Sequence, residues 1–110
     1  MGSFISSRAN MNESLAKKVE AEIVQHKVVI YSKTYCPYCV MAKDVFKEIK
    51  VEYHLVELDE HPEGSELQAI LHKMTGARTV PRVFINGTCI GGGTETRQLH
   101  REGKLQAMLS

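Results

Sequence analysis

The sequence predicts an α/β domain in which one four-stranded mixed sheet is flanked by helices. Three observations carry this expectation. Apolar residues recur at helical spacing in four stretches, short β-branched runs lie between them, and an Asn-Gly pair joins the last two runs. Two strands linked through a helix return parallel, whereas two strands linked by a tight turn run antiparallel. The order along the chain is αβαβαββα.

Residues 1–11 carry no periodic apolar pattern and are expected to form a flexible tail, leaving 12–110 as the domain. Leu15, Val19 and Ile23 recur every four residues and mark the first helix, with Asn12 as its N-cap. Val28-Val29-Ile30-Tyr31 is a short buried strand. Val40, Val45, Phe46 and Ile49 keep a helical period to about Lys50. Tyr53 to Leu58 alternates as a second strand. Leu67, Ile70, Leu71 and Met74 mark a helix closed by Gly76. Val83-Phe84-Ile85 and Thr88-Cys89-Ile90 flank Asn86-Gly87, the preferred type I′ hairpin pair. Leu99, Leu105, Met108 and Leu109 give the last helix its buried side, with a break or kink at Gly103.

Composition narrows the function classes. A chain of 110 residues with 43% hydrophobic and 25% charged residues suits one globular domain. A formal net charge of +1, with basic residues alternating with acidic ones, points away from nucleic acid. No apolar run approaches the ~20 residues of a membrane span, and none near the start resembles a secretory h-region. The expected compartment is the cytoplasm. The mitochondrion is the alternative, because Arg8, several serines and no acid before Glu13 fit a short transit-peptide pattern. Met1-Gly2 followed by Ser6 matches the loose myristoylation pattern, read here as a chance match. Asn12-Glu13-Ser14 and Asn86-Gly87-Thr88 fit the glycosylation sequon, which matters only in a secreted protein.

The three cysteines, Cys36, Cys39 and Cys89, are an odd number, which argues against a secreted disulfide framework. Cys36-Pro37-Tyr38-Cys39 is the sharpest signal. A strand delivers the chain to Cys36 and a helix starts just beyond it. Pro37 suits the first helical position, where an N–H would have no partner. The Cys36 sulfur then faces free backbone N–H groups and the positive end of the helix dipole, both of which favour thiolate. Such settings bring a cysteine from ~8.5 into the range ~3.5–7.5. Cys39, three residues on, shares the helix face and is expected to be the less exposed, resolving thiol. The competing reading is half of a structural zinc site. Zinc needs a second ligand pair, and Cys89 with the five histidines shows no such spacing. The histidines read singly as surface residues, and Cys89 as a small buried hydrophobe.

Three spaced motifs then resemble the glutaredoxins, which have a thioredoxin-like fold: Cys36-Pro37-Tyr38-Cys39, Thr79-Val80-Pro81 and Gly91-Gly92. The resemblance covers about residues 15–109. Lys73 to Arg78 and Leu99 to Leu105 look most like the vertebrate glutaredoxin 2 type. The resemblance implies a glutathione-dependent thiol–disulfide oxidoreductase acting on glutathionylated and disulfide-containing proteins. Cys36 would be the nucleophile, and Cys39 would be needed only for protein disulfides. It implies a cis bond before Pro81, with the Val80 backbone pairing with glutathione's cysteinyl unit. It also implies Lys33 and Gln68 on the glycyl carboxylate, Thr94 and Glu95 on the γ-glutamyl end, and Thr79 and Tyr38 at the border of the groove. The family usually has Asp where Glu95 stands. Arg78 and Arg82 either add positive field or are solvated charge.

Two rival functions follow. Some glutaredoxins hold a [2Fe–2S] cluster between two subunits through the nucleophilic cysteine and glutathione, which would make Cys36 a cluster ligand and the protein a dimer rather than the expected monomer. Members of the glutaredoxin 2 type that do so have Ser where Pro37 stands. A reductase-fed, thioredoxin-type reductant is the other rival, and the Tyr in the Cys-Pro-Tyr-Cys centre and the glutathione-site matches speak against it.

Overall fold

Val28–Ser32 (β1) is buried along its whole length, as its unbroken β-branched run requires of a strand covered on both faces. The computed structural model describes the backbone of residues 3–110 and the side chains of residues 13–110. β1 is central. It pairs in parallel with His54–Glu57 (β2) and antiparallel with Arg82–Ile85 (β3), and β3 pairs antiparallel with Thr88–Gly91 (β4). The sheet order is β2-β1-β3-β4. Val29 and Tyr31 face one side, with Leu15, Val19, Ile23, Leu67, Leu71 and Phe84. Val28 and Ile30 face the other, with Ala42, Val45, Phe46, Val83, Ile85 and Leu105. The first side is covered by helices Ser3–Gln25 (α1) and Gly64–Thr75 (α3). The second is covered by Pro37–Glu48 (α2), Gly93–Arg101 (α4) and Lys104–Leu109 (α5). This is the predicted mixed sheet between helices, with the thioredoxin-like fold.

Two expected breaks have their backbone cause. Gly76 ends α3 at φ 81°, and Gly103 separates α4 from α5 at φ 73°, left-handed conformations that glycine adopts without a Cβ penalty. Asn86 and Gly87 both have positive φ, as a type I′ hairpin needs.

Two boundaries differ from the sequence expectation. The first helix starts at Ser3, so Asn12 lies inside it rather than capping it, and the backbone of 3–11 is helical where a tail was expected. The apolar stripe that marks the helix begins only at Leu15, so nothing tertiary in the sequence signals the earlier turns. The Met1-Gly2 pattern and the Asn12 side chain lie outside the described residues. The second strand ends at Glu57, because Leu58–Glu60 tightens into a 3₁₀ turn closed by His61 N–H on the Leu58 carbonyl. Two histidines are not plain surface residues. His54 pairs with Glu22 at 2.8 Å and stacks on His26, and His100 pairs with Glu48 at 2.6 Å.

Candidate active site

β1 ends at Ser32, and the chain turns through Lys33-Thr34-Tyr35 to Cys36, which is the N-cap of α2. Cys36 has extended backbone, φ −93° and ψ 117°, and Pro37 follows at the first helical position. The Cys39 N–H, an otherwise unpaired first-turn donor, points at the Cys36 sulfur at 3.3 Å. A sulfur that accepts here carries more negative charge as thiolate, so the bond strengthens on ionisation. The thiol of Cys36 also lies 3.7 Å from the Val80 carbonyl, and the Val80–Pro81 bond is cis.

Cys39 has a different setting although it is three residues away. It is fully buried, and its Sγ accepts the Lys33 N–H at 3.5 Å. Burial, reinforced by the bond to Cys36, pushes its thiol up to about 11. The pair therefore divides into a half-exposed sulfur that accepts the Cys39 N–H and a buried thiol that keeps its proton. Cys89 is half-buried against the α1/α3 side of the core, less enclosed than expected.

Beside Cys36 opens a shallow groove of about 510 Å³, lined by Lys33, Tyr35, Cys36, Pro37, Gln68, Arg78, Thr79 and Val80. Seven of the residues singled out in the sequence thus meet at one surface: Lys33, Cys36, Pro37, Gln68, Arg78, Thr79 and Val80. Tyr35 also lines it and was missed. It is 72% exposed, so no burial pattern could have marked it. Tyr38 and Pro81 do not line this groove. Tyr38 is exposed on the first turn of α2, and Pro81 is buried behind Val80. Gln68 donates its amide to the Arg78 carbonyl at 2.9 Å, tying α3 to the loop that carries Thr79 and Val80.

Thr94 and Glu95 stand in the first turn of α4, which is packed on α2. A Cβ on Gly93 would lie 2.4 Å from the Tyr38 carbonyl, so only glycine permits this approach. Glu95 accepts the Gly92 N–H at 2.8 Å, and this bond holds its carboxyl below the usual carboxylate range, with Arg82 adding to the effect. Glu95 thus caps its own helix, a second role for a residue expected only at a ligand. Arg82 is buried, not solvated. Its Nε donates to the carbonyl of the preceding residue, Pro81, at 3.0 Å, a bond within the cis-proline loop.

Comparisons with known proteins agree with this geometry. The family model "Glutaredoxin" matches residues 28–90. The mitochondrial glutaredoxin-2 of Bos taurus is 52% identical over 100 residues, covering 91% of this chain and 64% of its own. That of Homo sapiens is 50% identical over 100 residues, covering 91% and 61%. The chain spans about three-fifths of the length of these curated relatives. Among solved structures, a buckwheat glutaredoxin–glutathione complex superposes with a TM-score of 0.87 at 39% identity, covering 91% of each chain. The holo form of glutaredoxin C1 from Populus tremula x tremuloides gives 0.84 at 40% identity, covering 87% of this chain and 95% of its own. With matching motifs, fold and relatives, the chain belongs to the glutaredoxin family.

Proposed function

We propose that this protein is a glutathione-dependent thiol–disulfide oxidoreductase that removes glutathione from mixed disulfides and reduces protein disulfides. The observation that carries the reading is the Cys36 sulfur at the N-cap of α2, accepting the Cys39 N–H and opening on the groove lined by Lys33, Gln68 and Val80. The solved relative in complex with glutathione supports the ligand.

In this reading the Cys36 thiolate attacks the glutathione sulfur of a glutathionylated protein. The protein leaves as a thiolate that takes a proton, and glutathione remains on Cys36 as a mixed disulfide. A second glutathione thiolate attacks the glutathione sulfur of that adduct. Oxidised glutathione leaves and the Cys36 thiolate returns. Cys39 is not used on this route. With a protein disulfide, the Cys36 thiolate attacks one sulfur and the other leaves as a thiolate. Cys39 then gives up its proton and attacks the Cys36 sulfur, and the second substrate thiolate leaves. The resulting Cys36–Cys39 disulfide is reduced by two glutathiones, which depart as oxidised glutathione.

Glutathione is an anion with two carboxylates. Lys33 and Gln68 suit the glycyl carboxylate, one by charge and one by hydrogen bond. The Val80 N–H and C=O suit the cysteinyl unit as an added strand would. The free amides at the start of α4, at Gly93, Thr94 and Glu95, suit the γ-glutamyl carboxylate. Thr79, Pro81 and Tyr38 shape the surroundings. The relatives named as mitochondrial support the mitochondrial compartment over the cytoplasmic one expected from composition.

The test is glutathione-dependent reduction of a glutathionylated peptide by the parent, Cys36→Ser and Cys39→Ser. Activity lost in Cys36→Ser and retained in Cys39→Ser is expected. Full activity in Cys36→Ser contradicts the reading. A second reading, a [2Fe–2S] cluster shared by two copies through Cys36 and glutathione, rests on the solved holo relative. It requires visible absorbance and a dimer in freshly purified protein.

A further inference from the structure

Lys33 and Gln68 come from different elements, the turn after β1 and the middle of α3, yet the proposed reading has them act on one carboxylate. A contact between those elements is not used by that reading. The Thr34 N–H donates to Asp59 Oδ1 at 3.0 Å, and the Thr34 hydroxyl donates to Asp59 Oδ2. Both oxygens of one carboxylate are therefore committed to a residue two places before Cys36. Asp59 sits in the Leu58–Glu60 turn, and that turn is seated on α3. A Cβ on Gly64 would lie 1.9 Å from the Leu58 carbonyl oxygen, so the close approach depends on glycine, and the Gly64 N–H donates to the His61 carbonyl at 3.1 Å. Lys33, Asp59 and Gln68 line one cavity of about 260 Å³.

We propose that Asp59 is a positioning residue that clamps the Lys33-Thr34-Tyr35 turn to the base of α3 and so sets the separation of Lys33 from Gln68 that a glutathione carboxylate meets. The proposal rests on the glutathione-dependent reading above. Charge alone would give Asp59 the opposite effect, because a carboxylate beside Lys33 repels an incoming carboxylate. The two explanations thus predict opposite signs. The Thr34 hydroxyl, with a smaller contribution from Lys33, holds the Asp59 carboxyl below the usual range, so the clamp is intact at neutral pH. The Cys39 N–H on the Cys36 sulfur does not involve Asp59, so the nucleophile is spared when the clamp is removed.

The experiment is steady-state kinetics with glutathione as the varied substrate for the parent, Asp59→Ala, Asp59→Asn and Thr34→Val. Asp59→Ala is expected to raise KM for glutathione at least about threefold with kcat within about twofold, the signature of lost ground-state positioning. Asp59→Asn is expected to keep KM at or below the parent value. Its amide oxygen can take the Thr34 N–H, its NH₂ can donate to the Thr34 oxygen, and the repelling charge is gone. Thr34→Val keeps one of the two bonds and should fall between the parent and Asp59→Ala. An unchanged or lowered KM in Asp59→Ala overturns the clamp, as does a fall in kcat alone or a rise in KM in Asp59→Asn equal to that in Asp59→Ala. A parent showing no dependence on glutathione overturns the underlying reading as well, an outcome distinct from an active parent with an indifferent Asp59→Ala.

Discussion

Cys36 and Cys39 are the same residue type in two environments, and the division of labour between them follows from burial. Cys36 is half-exposed at a helix N-terminus, whereas Cys39 is enclosed and its thiol is pushed up to about 11, chiefly by burial. Iodoacetamide at neutral pH should therefore label Cys36 and spare Cys39, with Cys39 reacting only as the pH approaches that value. Equal labelling of both at neutral pH would contradict the assignment. Stability follows the same sign. A raised thiol pKa means the fold favours the protonated form. Its contribution is complete below the ordinary cysteine range and is lost as the pH climbs from there toward about 11. Tyr31, whose hydroxyl is raised by burial and by its bond to Glu22, acts in the same alkaline direction. Under reducing conditions the denaturation midpoint should fall across this window, and less steeply in Cys39→Ser. At this scale the sequence was informative about Cys36, Pro37 and Cys39, because strand, cap and helix are local. It was silent on Tyr35, which is exposed and meets the groove only in the fold. It did not show that Arg82 is buried or that Glu95 caps its own helix, because burial depends on what packs around a residue and a carboxylate at that position serves a ligand or a cap equally well.

The elements are held in register by contacts that no local pattern encodes. Lys43 on α2 pairs with Glu57 on β2 at 2.7 Å, with both side chains about 15% exposed. Among the described residues, Glu57 Oε1 has no hydrogen-bond partner. Removing one member of such a pair leaves an uncompensated charge, whereas replacing both with apolar residues of similar size is often neutral. Lys43→Met alone should destabilise by about 3 kcal/mol, and Lys43→Met with Glu57→Leu should recover most of that in chemical denaturation. A double variant as unstable as the single would show that the pair itself holds α2 on the sheet. The element order was legible because each stretch keeps one period, 3.6 or 2, between clear breakers such as Gly76 and Asn86-Gly87. The start of α1 and the 3₁₀ turn at Leu58–Glu60 were not. The first precedes the apolar stripe, and the second is set by the close seating of Gly64 on the Leu58 carbonyl.

For the molecule as a whole, the order β2-β1-β3-β4 brings the end of β1, the cis-proline loop before β3 and the glycine turn after β4 to one region. Residues far apart in sequence, Lys33, Gln68 and Val80, then share a groove with Cys36. Composition could not have shown this, since a net charge of +1 averages over the groove and the surface that surrounds it. The spaced motifs could, because each occupies one of the three loops that converge. The central claim is that glutathione is carried on Cys36. The most direct measurement is intact-mass and peptide mapping of Cys39→Ser after incubation with oxidised glutathione. The account predicts one glutathione per chain, on Cys36 and reversed by dithiothreitol. No adduct on Cys36, or an adduct on Cys89 instead, would contradict it.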